Sequence, residues 1–253
     1  MIDRRTFPFG AAAMLLLACS GAQTKDPVVT VSDDGKSTSP SGDAAAKRGT
    51  SFVRFVNAMP GDAGLNLGSE KGDLFGRVDF KAVTKYLEMG DNLARFSLRA
   101  TADGTEMATS SEAMSDGFRY TVVGFADSNG VASLRVLRDE LVPDSGKARI
   151  RVIHAAPGIK DVDLAVQGER EPLFDDINYG TEAGFKDVVP MTATFELRRD
   201  GGNGKVIRLP GMVLEAGKAY TIVLTGKAPN QLAAFSFDDT VMTGTPLSLR
   251  GEQ

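Results

Sequence analysis

Apolar and polar positions along the chain alternate in short runs of period two, bounded by turn residues, with no long stretch of helical period. Phe96-x-Leu98 and Phe195-x-Leu197 alternate as half-buried strands do. Val53 to Val56 and Ile150 to Ile153 are short β-branched or aromatic runs with Arg54 and Arg151 one step in. Tyr120 to Val123 and Tyr220 to Leu224 are β-branched and follow a glycine. Turn signals separate these runs: Ala102-Asp103-Gly104, Ser128-Asn129-Gly130, Gly201-Gly202-Asn203-Gly204 between Phe195–Arg199 and Val206–Leu209, and Ala216-Gly217-Lys218. The pattern predicts an all-β fold of antiparallel β-sandwiches of immunoglobulin-like size. With no Trp and one Cys, the Cys-Trp-Cys core of antibody domains is absent.

The pattern occurs twice. Val53-Arg54-Phe55-Val56-Asn57-Ala58-Met59-Pro60-Gly61 returns as Ile150-Arg151-Val152-Ile153-His154-Ala155-Ala156-Pro157-Gly158. The copies stay in step through Val78-Asp79-Phe80 with Ile177-Asn178-Tyr179 and Gly117 to Val123 with Gly217 to Val223, and close with Leu137-Arg138-Asp139 against Phe237-Asp238-Asp239. A unit of this size holds its own core, unlike the shorter units of a solenoid. Two tandem sandwiches are expected, repeat 1 over 50–142 and repeat 2 over 147–242, with a tail at 243–253. The short connector Leu141 to Lys147, with one Pro, predicts that they sit close with limited relative motion.

The N-terminus adds an address. Arg4-Arg5 precede the apolar run Phe9 to Ala18, too short to span a bilayer as a helix. It ends Leu16-Leu17-Ala18-Cys19, which resembles the bacterial lipobox. Arg4-Arg5-Thr6-Phe7 resembles the twin-arginine export motif. A signal peptide over 1–18 and acylation of Cys19 are therefore expected, with membrane lipid as a partner through that group. Ser20 after Cys19 resembles the pattern sent to the outer membrane. From Ser20 to Thr50 the chain has no aromatic residue, and Val28, Val29 and Val31 are its only apolar cluster. The segment 19–49 is expected to be a disordered tether, reaching roughly 30 Å for about 30 residues.

Cleavage before Cys19 leaves 27 basic and 32 acidic side chains, a net charge of −5. Acidic, interspersed charge offers no footprint for nucleic acid. Once Cys19 is acylated no thiol remains for a disulfide.

Arg151-Val152-Ile153-His154-Ala155-Ala156-Pro157 followed by Val162-Asp163-Leu164 resembles the opening of the domain-of-unknown-function family 4397. Val83-Thr84-Lys85-Tyr86-Leu87 with Gly90, and Gly217-Lys218-Ala219-Tyr220-Thr221, are similar to further stretches of that family. The resemblance covers about 50–142 and 147–242 and departs where Asn57 stands for His. It implies a domain of exported or anchored bacterial envelope proteins, often in tandem, and no established reaction.

His154 is the only histidine. A general base or metal ligand is one reading. Asn57 at the same place in repeat 1 cannot cycle a proton, which favours a strand-end side chain bonding the turn that Pro157 begins. One His and no free thiol argue against zinc. Asp161-x-Asp163, Asp139-Glu140 and Asp238-Asp239 read as solvated turn carboxylates, and Asp175-Asp176 as an exposed loop. Gly201 to Lys205 lacks the Ser or Thr of a phosphate loop, and no nucleophile elbow occurs. Tyr120 and Tyr220 read as core residues with a hydroxyl hydrogen bond.

The expectation is a lipid-anchored envelope protein, possessing no catalytic residue, metal or cofactor, whose paired domains serve as a spacer or a contact surface for an envelope protein or cell-wall partner. The alternative is a binding protein that holds sugar, peptide or calcium at loops of repeat 2 through His154, Asp161 and Asp163. A hydrolase using His154 with a Ser and an Asp ranks third.

Overall fold

The computed structural model describes residues 49–239, except 62–63, 91–92, 200–203 and 228–230. The signal peptide 1–18, Cys19, the tether up to residue 48, the tail 243–253 and most of the Gly201–Gly204 turn lie outside the described residues.

Sixteen strands and no helix make up the described chain. Repeat 1 contributes β1 (Ser51–Asn57), β2 (Leu65–Ser69), β3 (Gly72–Val78), β4 (Leu87–Met89), β5 (Leu93–Ala100), β6 (Glu106–Ala113), β7 (Arg119–Ala126) and β8 (Ala132–Asp139). Repeat 2 contributes β9 (Ala148–His154), β10 (Asp161–Val166), β11 (Phe174–Asn178), β12 (Glu182–Val188), β13 (Met191–Arg199), β14 (Lys205–Leu214), β15 (Ala219–Lys227) and β16 (Gln231–Asp238). Every run read as a strand from its sequence falls in one of these.

Four four-stranded sheets result. Repeat 1 pairs β4-β1-β7-β8 with β3-β2-β5-β6, and repeat 2 pairs β12-β9-β15-β16 with β11-β10-β13-β14. Each pair of sheets is a β-sandwich around its own core. The first core contains Val53, Phe55, Leu67, Phe96, Leu98 and Val122, and the second Ile150, Val152, Leu164, Phe195, Leu197 and Ile222.

All named-strand pairings are antiparallel except two. β1 pairs with β7, and β9 with β15, in parallel. Parallel neighbours require a crossover. Here the crossover is the excursion from β1 through the opposite sheet and back to β7, repeated from β9 to β15.

Both sandwiches lie in one compact unit. A third apolar cluster joins them: Val56, Ala58, Val123, Phe125 and Leu137 from repeat 1 meet Ile153, Ala155 and Val223 from repeat 2. Strands β1, β7, β9 and β15 are therefore buried on both faces, one toward the repeat's own core and one toward the other repeat. This explains why they read as continuous apolar runs.

The predicted turns carry the expected backbone. Gly104, Gly130 and Gly217 sit at φ +75°, +81° and +80°. The Tyr120 hydroxyl accepts a hydrogen bond from the Ser115 amide at 2.9 Å, and the Tyr220 hydroxyl accepts one from the Glu215 amide at 3.1 Å. Both hydroxyls hold the turn five residues upstream, as their repetition in both copies implied. The repeats fill equivalent core space differently. Phe55 packs over Gly124, where an added Cβ would meet the ring at 3.1 Å. Repeat 2 has Val152 and Leu224 at the matching positions, both fully buried.

Candidate functional site

The greatest concentration of polar chemistry lies in the seam between the repeats. It begins with strand register. The parallel pairing sets Arg54 opposite Thr121 and Arg151 opposite Thr221. Within each repeat, Arg Nε then donates to Thr Oγ1, at 2.9 Å in repeat 1 and 2.8 Å in repeat 2.

The ion pairs cross over. Arg54 Nη2 pairs with Asp239 of the other repeat, and Arg151 Nη2 reaches Asp139 Oδ1 at 2.7 Å. Each threonine hydroxyl donates to the aspartate of its own repeat: Thr121 to Asp139 at 2.8 Å, and Thr221 to Asp239. Thr121 Oγ1 also accepts from Arg151 Nη2 at 3.2 Å. Aromatic rings cover the guanidinium groups, with Tyr86 and Phe237 at 4.7 and 4.8 Å from Arg54 and Phe185 at 4.5 Å from Arg151.

Three further hydrogen bonds cross the seam. Arg135 Nη1 donates to the Gly180 carbonyl, Tyr179 OH to the Ala126 carbonyl, and Thr225 Oγ1 to the Ala58 carbonyl.

The arrangement is close to two-fold but not fully so. Tyr86 donates to Asp139 Oδ2 at 2.6 Å, whereas Phe185 at the matching position has no donor. Glu182 Oε2 lies 3.3 Å from Arg151 Nη1, whereas repeat 1 has Val83 there. Two guanidinium groups thus face three carboxylates. Burial alone would lower the pKa of Arg151, but Asp139, Asp239 and Glu182 outweigh it and hold the group charged. Burial pushes the carboxyls of Asp239 and Glu182 up despite their arginine partners. All three values move up: for Arg151 that favours the charged form, because its carboxylate neighbours outweigh desolvation, and for Asp239 and Glu182 it favours the neutral acid, because desolvation outweighs the arginines. Burial, and then Asp139, raise the Tyr86 phenol well above its ordinary range.

Asp139 and Asp239 are therefore not solvated turn carboxylates: their side chains are fully buried. Spacing within one copy could not reveal this, because each aspartate answers an arginine in the other. The available signal was the recurrence of Arg, Thr and Asp at matching positions of otherwise apolar runs.

The three residues read as a ligand site are placed differently. His154 ends β9 fully buried. Its Nδ1 accepts from the Ala156 amide at 3.3 Å, as Asn57 Oδ1 accepts from the Met59 amide at 3.0 Å, so both hold the turn before the proline. Tyr179 meets its ring edge-on at 5.6 Å. Nε2 makes no full hydrogen bond; the Ile159 carbonyl is the backbone group that favours its charged form. Burial dominates and takes its pKa down to about 4. The small recess beside it, lined by Val123, Phe125, Arg135, Ile153 and Thr181, has room for about one water.

Asp161 and Asp163 lie on the outer face of β10, alternating with the core residues Val162 and Leu164. Asp161 pairs with Lys160 at 2.6 Å, and Asp163 accepts from the Asp176 amide at 3.0 Å. Asp175 and Asp176 are exposed as expected but belong to β11, with Asp176 at φ +53° where the strand register shifts. Among the described residues, no group of three or more His, Cys, Asp or Glu is placed to hold a metal.

The model of a domain of unknown function, DUF4397, matches residues 51–165, so that stretch is DUF4397-like. It takes in repeat 1 together with β9 and β10. No curated protein matches the chain. Among solved structures, the chain is similar to a candidate cell adhesion protein from Bacteroides fragilis, at 10% identity and TM-score 0.23, over 74% of this chain and 88% of that one. It is also similar to a family 26 carbohydrate-binding module from Eubacterium rectale in complex with maltoheptaose, at 13% identity and TM-score 0.22, over 74% and 96% of the two chains. Both likenesses are too weak to bear on ligand or function.

Proposed function

We propose that this all-β, DUF4397-like chain is a lipid-anchored protein of the bacterial cell envelope, without catalysis of its own, whose joined sandwiches act as a spacer or contact surface for another envelope component. The observation that carries the reading is the seam. It takes up the charged groups of Arg54, Arg151, Asp139 and Asp239 in mutual pairing and joins the two sandwiches into one body.

The anchor rests on Leu16-Leu17-Ala18-Cys19, which places the only thiol where acylation requires it. A tether from Cys19 to Gly49 would then present the paired domains clear of the lipid headgroups. Among the described residues no helix is long and apolar enough to cross a membrane.

Labelled palmitate supplied to cells producing the full chain tests the anchor. Label is expected on the wild-type chain in the membrane fraction and is expected to be lost from Cys19→Ala. Retention of both label and membrane association by that variant would refute the proposal. The binding-protein alternative gains little from the geometry, since Asp161 and Asp163 turn to Lys160 and to the backbone of β11.

A further inference from the structure

We infer that the seam is a self-complementary recognition surface, in which the Arg-Thr-Asp set on each inner sheet pairs two repeats whether or not the chain joins them. The tandem is then a fused dimer, and the partner that fits an unpaired inner sheet is another repeat of this chain. This goes beyond the envelope reading and does not depend on the lipid anchor.

Three observations carry it. The first is exchange. Arg54 and Arg151 each bond the threonine of their own repeat and the aspartate of the other. Residue i of one partner meeting residue j of the other, and j meeting i, is the signature of an isologous contact. The second is that the apolar part follows the same relation, with Val56, Ala58, Val123 and Leu137 of repeat 1 matched in sequence by Ile153, Ala155, Val223 and Phe237 of repeat 2.

The third is the place of the connector. It supplies no residue to the seam cluster. Its contacts lie at the strand ends, where Arg149 Nη1 donates to the carbonyls of Glu140 and Val142 at 3.0 and 3.1 Å, and Asp187 Oδ2 accepts from the Asp144 amide at 2.7 Å. The connector therefore raises the local concentration of one repeat near the other without making the recognition contact.

The departures from symmetry set how many carboxylates each pairing would bury. A repeat 2–repeat 2 pair would bury two copies of Glu182, and a repeat 1–repeat 1 pair none, with Val83 in that place. Glu182 pairs with Arg151 inside repeat 2, so it travels with that repeat whichever partner it meets. The surface thus accepts a second repeat, and a repeat 2–repeat 2 pair, burying Asp239 and Glu182 twice over, is the least favoured.

The test keeps the whole chain. A protease recognition sequence is placed between Pro143 and Gly146, and the folded protein is cut there and run on a sizing column at micromolar concentration. The halves are expected to co-elute at the mass of the intact chain. Separate elution, or precipitation of either half, would overturn the inference.

In the cut protein, Arg54→Asp is expected to raise the dissociation constant roughly a hundredfold, because Asp239 then faces a like charge. Adding Asp239→Arg restores an opposite pair and should recover at least roughly tenfold of that loss. Arg95→Asp, an exposed site outside the seam, serves as the control and should leave dissociation unchanged. Strand circular dichroism of each uncut variant reports whether the sandwiches remain folded. A folded Arg54→Asp protein whose halves separate no more readily than wild type would show that the triads do not specify the pairing.

Discussion

Replacing His154 by Asn puts into repeat 2 the residue that repeat 1 already uses for the same turn. Asn57 accepts from the Met59 amide and donates Nδ2 to the Val78 carbonyl at 2.9 Å, so the substitution has a working precedent in the same molecule. The wild-type imidazole is fully buried with its pKa down to about 4, from an ordinary value of 6.5. The unfolded chain therefore binds a proton more readily than the folded one between those limits. The stability associated with the neutral ring is fully present above pH 6.5 and is lost as pH falls through 4. From these two values, the native state loses about 2 kcal/mol between pH 7 and pH 5 and about 3 kcal/mol by pH 4 through this group alone.

Asp239 and Glu182, with raised pKa values, work in the opposite direction: their contribution is present at low pH and lost as pH rises through their folded values. They are common to wild type and variant, so they cancel in the difference between the two. Urea unfolding of both proteins at half-unit steps from pH 7 to pH 4.5 measures that difference. Wild type should lose about 2 kcal/mol relative to His154→Asn by pH 5, whatever constant offset the smaller side chain introduces. Parallel stability curves across the range would refute the assignment of His154 as a buried neutral ring.

Further outcomes follow from packing and charge. Arg151→Ala leaves Asp139 buried without its guanidinium and is expected to cost about 3–5 kcal/mol in urea unfolding. Arg77→Ala, from an exposed pair with Asp79, should cost no more than about 0.5 kcal/mol. Gly124→Leu drives a side chain into the Phe55 ring and is expected to cost about 3 kcal/mol alone. With Phe55→Val the pair copies Val152 and Leu224, and the double variant should be more stable in thermal melts than Gly124→Leu by itself.

The all-β class, the duplication and the main strands were legible because period-two runs and turn glycines are local signals. Tyr120 and Tyr220 were legible as hydroxyl-bonded core residues because each appears at the same place in both copies. The parallel pairing of β1 with β7 was hidden, since its partners lie at opposite ends of a repeat and no turn joins them. The seam was harder still. Asp139 and Asp239 each follow a polar residue near a strand end, which is how a solvated carboxylate also looks, and only contact between copies withdraws them from water. His154 was read as a turn-holding side chain for a sound reason, its replacement by Asn57. Its burial depends on Tyr179 and the recess at the seam, which no spacing announces.

The exchange of partners also sets an order of events. Arg54 lies in the first strand and Asp239 just beyond the last, 185 positions apart. A chain emerging from its N-terminus buries β1 against β7 with a cation whose counter-ion has yet to be made. Non-local closures of this kind slow folding and leave incomplete forms with exposed apolar surface. A product ending short of Asp239 would keep every described strand and still carry an unanswered charge at its centre. Asp239 thus ties the closure of the first repeat to the arrival of the last strand of the second.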